Sequence, residues 1–243
     1  MSNVRTVAAL DRLLPPGTEG YIDGLLARQP CAVRLARPRR TKLGDHRPPG
    51  RGSGMHRISI NDDLNPYAFL TTLLHEIAHA ATWERHERHR RCHGRRVRPH
   101  GPEWQAEFAG LVQPVVALGV LPDDVTKALA QSLARPAAAT CSDRQLLLTL
   151  GRYDRVAPGL VRVEEIASGG WFRLASGEVF RAGRTLRTRR QCFAARNGAE
   201  YRVHGLARVE PVDPPVSVPA GRRSRTGSGR CGGSSGPRGS PGR

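Results

Sequence analysis

The sequence predicts an α+β protein with two folded parts and a basic tail. Three observations support this: a strongly helical apolar segment at residues 65–83, alternating segments before it that are typical of strands, and short β-like runs between turn residues from residue 145 onwards. The predicted parts are a first domain at 1–135, a linker at 136–144, a small all-β domain at 145–213, and a disordered tail rich in Arg, Gly, Ser and Pro at 214–243.

The segment before residue 65 predicts helices followed by strands. Apolar residues recur at helical spacing in residues 5–28, with a break at Pro15-Pro16-Gly17. Residues 31–37 then alternate between apolar and polar side chains, as a half-buried strand does. A second short strand is predicted to start near residues 41–44, and a third is predicted at residues 55–61.

The helix at residues 65–83 has clear start signals. Asn65 is a good N-cap, and Pro66 fits the first helical position, where its missing N–H costs nothing. Leu70, Leu73, Leu74 and Ile77 recur at helical spacing, so one face should pack on a core.

The same helix carries the sequence His-Glu-Ile-Ala-His at residues 75–79. A helix advances 3.6 residues per turn, so His75 and His79 project from one face and could bind a single Zn²⁺ ion. Glu76 is then placed to take a proton from water at the open zinc position. A chance pattern on a solvated helix is the alternative, but the flanking residues are apolar, and burying two unpartnered imidazoles is costly. The motif therefore predicts a zinc-dependent hydrolase.

A catalytic zinc usually has three protein ligands and one water. The candidates for the third ligand are His100, His93 and Glu103. Spacing does not decide among them, although the Gly101-Pro102 turn into the next helix favours His100.

The rest of the chain divides into helices and short strands. Helices are predicted from Pro102 to Val115 and at residues 123–134. The short β-like runs are at 146–150, 160–166, 171–174, 179–181, 191–195 and 201–203, separated by Gly-containing turns, and they suggest a small barrel. Trp171, Phe172 and Tyr201 could stack on bases, but core packing is the alternative for each.

Residues 84–99 are nearly devoid of apolar side chains, so an exposed loop is predicted. This basic loop would lie at the cleft rim and could contact DNA or acidic protein through its seven arginines, Arg85, Arg88, Arg90, Arg91, Arg95, Arg96 and Arg98. A solvated insertion is the alternative. A second metal site is a further possibility, with candidate ligands His86, His89, Cys92 and His93.

The bulk properties indicate a polyanionic partner. The net charge is +18, which favours contact with nucleic acid. Lys42 and Lys127 are the only lysines, so arginine usage also fits mutational bias, but bias does not cancel the charge. The five cysteines form no CxxC pair, which argues against a disulfide framework or a four-cysteine zinc module. No apolar signal or membrane span is evident, so a cytoplasmic protein, with association to the nucleoid an option, is expected.

The ordered set of motifs resembles the SprT-like metalloproteases, the family that includes Spartan. Leu43-Gly44, the strand ending at Asn61, the helix at residues 73–80 and His100-Gly-Pro-Glu-Trp104 carry the resemblance, which covers roughly residues 20–118. It implies a zincin-like domain with one zinc on His75, His79 and His100, and Glu76 as catalytic base. It also implies protein substrates and an association with DNA-crosslinked proteins.

The chain departs from that family after the first domain. The cysteine zinc ribbon found in many members has no counterpart here, because Cys141 and Cys192 lack CxxC partners. A small SH3-like barrel, with a possible role in binding nucleic acid, is expected at 145–213 instead. Two other functions stay open: a nucleic-acid-binding protein with a structural or vestigial zinc site, and a zinc hydrolase of a non-protein amide.

Overall fold

The computed structural model describes residues 10–39, 42–50, 54–87, 97–134 and 143–215. The chain forms two compact units, Met1–Pro158 and Gly159–Arg243. Helices and strands occur together in the first unit, and the second contains a sheet, so the fold class is α+β as predicted.

The first unit contains five helices and three strands within the described residues. Their bounds are α1 Glu19–Arg28, β1 Cys31–Ala36, β2 Gly44–Arg47, β3 His56–Asn61, α2 Pro66–Thr82, α3 Pro102–Ala117, α4 Asp123–Leu133 and α5 Arg144–Leu150. A π-helical turn, Trp83–Glu87, follows α2 directly, where a loop was predicted. The predictions for β1, β3, α2, α3 and α4 are confirmed to within a few residues, and β2 starts at Gly44, within the segment where its start was predicted.

The strands of the first unit form a small mixed sheet with the order β1-β3-β2. β1 pairs with β3 in parallel, and β2 pairs with β3 antiparallel. The central strand places Ile58 and Ile60 in the core, where both are fully buried. β2 is therefore an edge strand, and it runs beside α2, which carries the histidine motif.

Asn65 fixes the start of α2. Its side-chain oxygen accepts hydrogen bonds from the backbone N–H groups of Tyr67 and Ala68 at 3.1 and 3.0 Å. Its side-chain nitrogen donates to the carbonyl of Leu150 and to the carboxylate of Asp154. The predicted N-cap is confirmed, and it also joins α2 to the end of α5.

The prediction of a strand at residues 146–150 is wrong, because this segment is α5. Asp143 caps the helix by accepting from the N–H groups of Gln145 and Leu146. Leu146 and Leu150 are four residues apart, and both are buried in the core of the first unit. A short apolar run does not distinguish a strand from a buried helix, and the cap residue was the overlooked signal. The first unit consequently extends past residue 145 to Pro158.

The second unit is a six-stranded antiparallel sheet with the order β4-β9-β5-β6-β7-β8. Its strands are β4 Val161–Arg162, β5 Trp171–Arg173, β6 Val179–Thr185, β7 Arg189–Ala194, β8 Glu200–His204 and β9 Arg208–Val212. Phe172, Phe180 and Val209 lie in its core. No pairing joins β4 to β8 within the described residues, so the sheet does not close there, and the predicted small barrel is not confirmed.

In the second unit, one strand prediction needs correction and one strand was missed. The predicted strand at 160–166 shortens to β4 and then becomes a 3-10 turn, Val163–Glu165. β9 was not predicted, since Pro211 interrupts its sequence, although it pairs with both β4 and β5.

In the part of the chain that the structure describes, no helix is long and apolar enough to cross a membrane. The predicted linker at 136–144 and the predicted tail at 214–243 fall almost entirely outside the described residues.

Candidate metal centre

Two histidines of α2 and one from the turn before α3 converge at one point. The Nε2 atoms of His75 and His79 are 3.2 Å apart, and each lies 3.1 Å from Nε2 of His100. Within the described residues, this is the group of His, Cys, Asp and Glu side chains that could hold a metal ion. The expectation from spacing, that His75 and His79 share one face of the helix, is confirmed.

The turn before α3 brings His100 to this point. His100 adopts a φ of 57°, the left-handed region that residues other than glycine rarely occupy. Its carbonyl accepts a hydrogen bond from the Gln105 side chain at 3.1 Å, and the Gly101 N–H donates to the Arg98 carbonyl. Backbone strain of about 1–3 kcal/mol at such a position is typical of functional sites.

The three imidazoles favour their neutral forms. The pKa of His75 is lowered to about 2 and that of His79 to about 3. Burial is the larger cause, and the neighbouring histidines contribute the rest. Burial also lowers the pKa of His100. A neutral imidazole can direct a nitrogen lone pair at a metal ion.

The spacing of these nitrogens fits a metal ion. Three nitrogens bound about 2.0–2.1 Å from a tetrahedral ion would lie about 3.3 Å from one another. The observed separations of 3.1–3.2 Å are close to that value. The side chains present could therefore hold one metal ion.

Aromatic rings pack against the three histidines. The Trp104 ring centroid is 4.6, 5.4 and 4.7 Å from those of His75, His79 and His100. Trp104 in turn stacks on Phe108 at 5.0 Å. This apolar packing limits the rotamers of the imidazoles and so pre-organises them.

Glu76 is a buried carboxylic acid next to the first histidine, with 4 % of its surface exposed. Burial raises its pKa to about 7, and the charge of Asp45 raises it further, whereas Arg39, Lys42 and a backbone hydrogen bond from His46 oppose this shift. A general base works best with a pKa near the operating pH.

Gly44 allows β2 to approach Glu76 closely. A Cβ atom at this position would lie 2.3 Å from Glu76 Oε1 and 2.8 Å from the Thr72 methyl carbon. Such distances are far inside van der Waals contact, so a side chain at residue 44 would displace the Glu76 carboxylate.

The three histidines and Glu76 line a cleft with a volume of about 480 Å³. Its remaining lining comes from β2 and the preceding residues, the end of α2 and the segment before α3: Lys42, Leu43, Gly44, Asp45, His46, Pro48, Thr82, Trp83, Val97, Arg98, Pro99 and Trp104.

The other predicted site residues have mixed outcomes. Arg98 is exposed and lines the cleft, while Arg85 forms an ion pair with Glu107 at 2.8 Å. Glu103 is not in the metal group, which contains His100. The remaining candidates of the basic loop lie outside the described residues: Arg88, His89, Arg90, Arg91, Cys92, His93, Arg95 and Arg96. His86 is therefore the only member of the suggested second metal site that is described.

The candidate stacking residues in the second unit also differ in exposure. Phe172 is fully buried, as core packing requires, whereas Trp171 is half-buried and Tyr201 is 39 % exposed. Tyr201 packs edge-on against Phe180.

Sequence reasoning missed a chain of polar groups beside the cleft. His46 Nε2 lies 2.8 Å from His56 Nδ1, and His56 Nε2 lies 3.1 Å from Glu84 Oε1. His46 and His56 stand on neighbouring strands and are ten residues apart, so no helical or alternating pattern links them. Two histidines flanking the Pro/Gly-rich loop at 48–54 were the available signal.

Comparisons with known proteins do not extend these observations. No family model matches the chain, and no curated protein or solved structure shows significant similarity to it.

Proposed function

We propose that the protein is a zinc-dependent peptide hydrolase of the SprT-like type, with a zincin-like first unit. The observation that carries this proposal is the triangle of His75, His79 and His100 nitrogens beside the buried Glu76 in an open cleft. Three histidine ligands with one open position are typical of catalytic zinc sites.

The chemistry assigned to the residues is metal-assisted amide hydrolysis. A bound zinc ion would supply Lewis acidity and lower the pKa of a coordinated water. Glu76 would take the proton of the attacking water and return it to the leaving amine. In the metal-free protein the Glu76 pKa is near 7, in the range where one group can both accept and release a proton near neutral pH.

The charge of the chain suggests where this chemistry takes place. Arg98 and Lys42 line the cleft, and the net charge is +18. Electrostatic attraction of this kind favours a polyanion near the cleft. We propose that DNA is this polyanion, that DNA-crosslinked proteins are one class of substrate, and that the second unit is an SH3-like module that helps to bind nucleic acid.

A nucleic-acid-binding protein with a structural zinc is the second candidate, and the high positive charge favours it. Such a protein would need no base beside the metal. The buried Glu76, with its raised pKa, has no evident role in a purely structural site and is costly to bury there.

The experiment compares wild type with Glu76→Gln, using zinc content by mass spectrometry and cleavage of an unfolded protein such as casein. We expect one zinc per chain in both proteins and a loss of cleavage of at least about 10²–10⁴-fold in the variant. Glu178→Gln makes the same chemical change at an exposed site of the second unit, so it should retain full activity.

Adding single- or double-stranded DNA to each assay separates the candidates. Zinc binding and DNA binding without Glu76-dependent hydrolysis would support the structural-zinc protein. Cleavage of small amides alone would indicate a non-protein substrate. Wild-type rates in Glu76→Gln would rule out this residue as the base.

A further inference from the structure

Three polar side chains form a hydrogen-bonded chain that starts in the cleft. His46 belongs to β2, His56 to β3 and Glu84 to the π-helical turn after α2. His56 is fully buried, and the Glu84 side chain is 28 % exposed. The two hydrogen-bonding distances of 2.8 and 3.1 Å place His56 between the other two residues. Trp83 packs edge-on against His56 and restricts its ring further.

With Glu84 ionised and both histidines neutral, the order of these groups determines which atoms donate. An ionised carboxylate only accepts, so His56 must donate from Nε2 to Glu84. A neutral His56 then accepts at Nδ1, and His46 therefore donates from Nε2. As a result, Nδ1 of a neutral His46 is an acceptor. It is also the one ring nitrogen of His46 that is not already bonded to His56.

His46 also stands beside both parts of the candidate centre. It lines the same cleft as His79, and the two rings are nearly parallel, with centroids 6.1 Å apart. The backbone N–H of His46 donates to the Glu76 carboxylate. A molecule bound in this cleft next to His79 would therefore lie close to the His46 ring.

We propose that His46 Nδ1 accepts a hydrogen bond from a backbone N–H of a peptide bound in the cleft, and that Glu84 and His56 are positioning residues that fix the His46 ring for this contact. This inference rests on the proposed function and specifies its substrate: a chain with an amide N–H close to the scissile bond.

The polar groups of a peptide backbone explain why the cleft needs an acceptor such as His46 Nδ1. A peptide presents carbonyl oxygens, which need a donor or a metal ion, and N–H groups, which need an acceptor. The metal and Glu76 would act on the carbonyl group and the attacking water. An N–H entering the cleft still requires an acceptor, because a buried donor without one costs binding free energy. A neutral imidazole nitrogen provides this acceptor without adding negative charge beside Glu76.

The experiment measures binding without turnover. Zinc-loaded Glu76→Gln protein is titrated with a fluorescein-labelled decapeptide that the wild type cleaves at a mapped bond, and affinity is read by fluorescence anisotropy. The same peptide is then tested with one backbone amide N-methylated at a time around that bond. Methylation at one position should weaken binding by about three- to tenfold, the effect of one neutral hydrogen bond.

Combining His46 variants with N-methylated peptides in a thermodynamic cycle tests whether His46 is the acceptor. In the double variant with His46→Ala, the unmethylated peptide should bind about three- to tenfold more weakly, and methylation at the critical position should have no further effect. His46→Asn retains an acceptor atom at the position of Nδ1 and should restore part of the affinity. His46→Gln places its polar atoms near Nε2 and should not.

A variant of His56 tests whether this residue positions the His46 ring. His56→Ala should reduce affinity for the unmethylated peptide, and it should also reduce the discrimination against the methylated one, because the His46 ring is no longer fixed. His204→Ala, a histidine of the second unit, is the matched control and should change neither value. Zinc content and melting temperature are measured for each variant to identify those that fail to fold.

The possible outcomes separate this inference from the proposed function. If the wild type binds no zinc or cleaves no peptide, the proposed function fails first. If it cleaves peptides but methylation weakens binding equally with and without His46, the contact assigned to Nδ1 does not exist. Full retention of discrimination in a folded His56→Ala variant would overturn the positioning role.

Discussion

The two units of this protein bury polar groups in opposite ways. In the first unit, His75, His79 and His100 direct the same kind of atom at one point, and their Nε2 atoms lie 3.1–3.2 Å from one another. In the second unit, Arg190 is buried with 5 % of its surface exposed, and carbonyl oxygens surround its guanidinium. Both groups are buried, so burial does not distinguish them. They differ in complementarity: in the second unit a donor faces acceptors, whereas in the first unit nitrogens face nitrogens.

Arg190 is satisfied by the protein itself. Its Nε donates to the Gly183 carbonyl at 3.0 Å, and one terminal nitrogen donates to the carbonyls of Val163, Glu164 and Ile166. The arginine thus ties β7 to β6 and to the 3-10 turn after β4. A buried cation with this many acceptors needs no ligand, whereas three converging lone pairs do. Complementarity therefore distinguishes a structural buried group from a binding one.

The largest effect on stability should come from removing the Arg190 side chain. Arg190→Ala removes the donor from four carbonyls, two of which, those of Val163 and Ile166, make buried hydrogen bonds. An unsatisfied buried group costs about 1–3 kcal/mol, so we expect the free energy of unfolding to fall by about 3 kcal/mol. Hydrogen exchange of peptides from residues 159–212 in the full chain would measure it.

Arg189 provides the control for this prediction. It is exposed, and its side chain donates a hydrogen bond to the Arg202 carbonyl at 3.3 Å. Arg189→Ala should change stability by no more than about 0.5 kcal/mol. Zinc content should be unchanged in both variants. Equal protection of the second unit in wild type and Arg190→Ala would show that the carbonyls do not depend on this cation.

The buried histidines around the cleft should make the stability of the metal-free protein depend on pH. Burial lowers the pKa of His46 to about 4, of His75 to about 2 and of His79 to about 3, against about 6.5 in an unfolded chain. Below pH 6.5 the unfolded state therefore binds more protons, and the free energy of unfolding falls with falling pH. Glu76 acts in the opposite direction, because its raised pKa lets the native state hold a proton that the unfolded state loses.

Three histidines should outweigh one glutamate. Between pH 7 and 5.5 we expect a net loss of about 2 kcal/mol, measured by urea unfolding in the presence of a chelator. Glu76→Gln removes the opposing contribution, so its pH dependence should be steeper than that of wild type. A metal-free protein that becomes more stable towards pH 5.5 would contradict the sign.

The sequence predicted the parts of this site that depend on local periodicity. His75, Glu76 and His79 share one helix with a recognisable cap, so helical spacing was sufficient to predict them. For the third ligand, the Gly101-Pro102 turn favoured His100 but did not exclude His93 or Glu103. The predicted strands of the first sheet were similarly readable from alternation.

What the sequence did not predict depends on contacts between distant segments. Leu146 and Leu150 form a helix because they pack on the first core, which a short apolar run cannot reveal. The open order of the second sheet depends on where β9 inserts, between β4 and β5. His46 and Glu84 meet through His56 only after two strands and a turn are in place.

The smallest effect should come from a single methyl group at Gly44. Gly44→Ala would place Cβ 2.3 Å from Glu76 Oε1, so the carboxylate must move while the three histidines stay in place. Since a displaced base loses proton-transfer geometry, kcat should fall by about tenfold or more with zinc content unchanged. Gly54→Ala is the matched control, because nothing lies within 4 Å of a Cβ atom there, and it should keep wild-type kcat. If Gly44→Ala also lost zinc, the base and the metal ligands would move as one rigid group, and the close approach of β2 would support the whole centre rather than Glu76 alone.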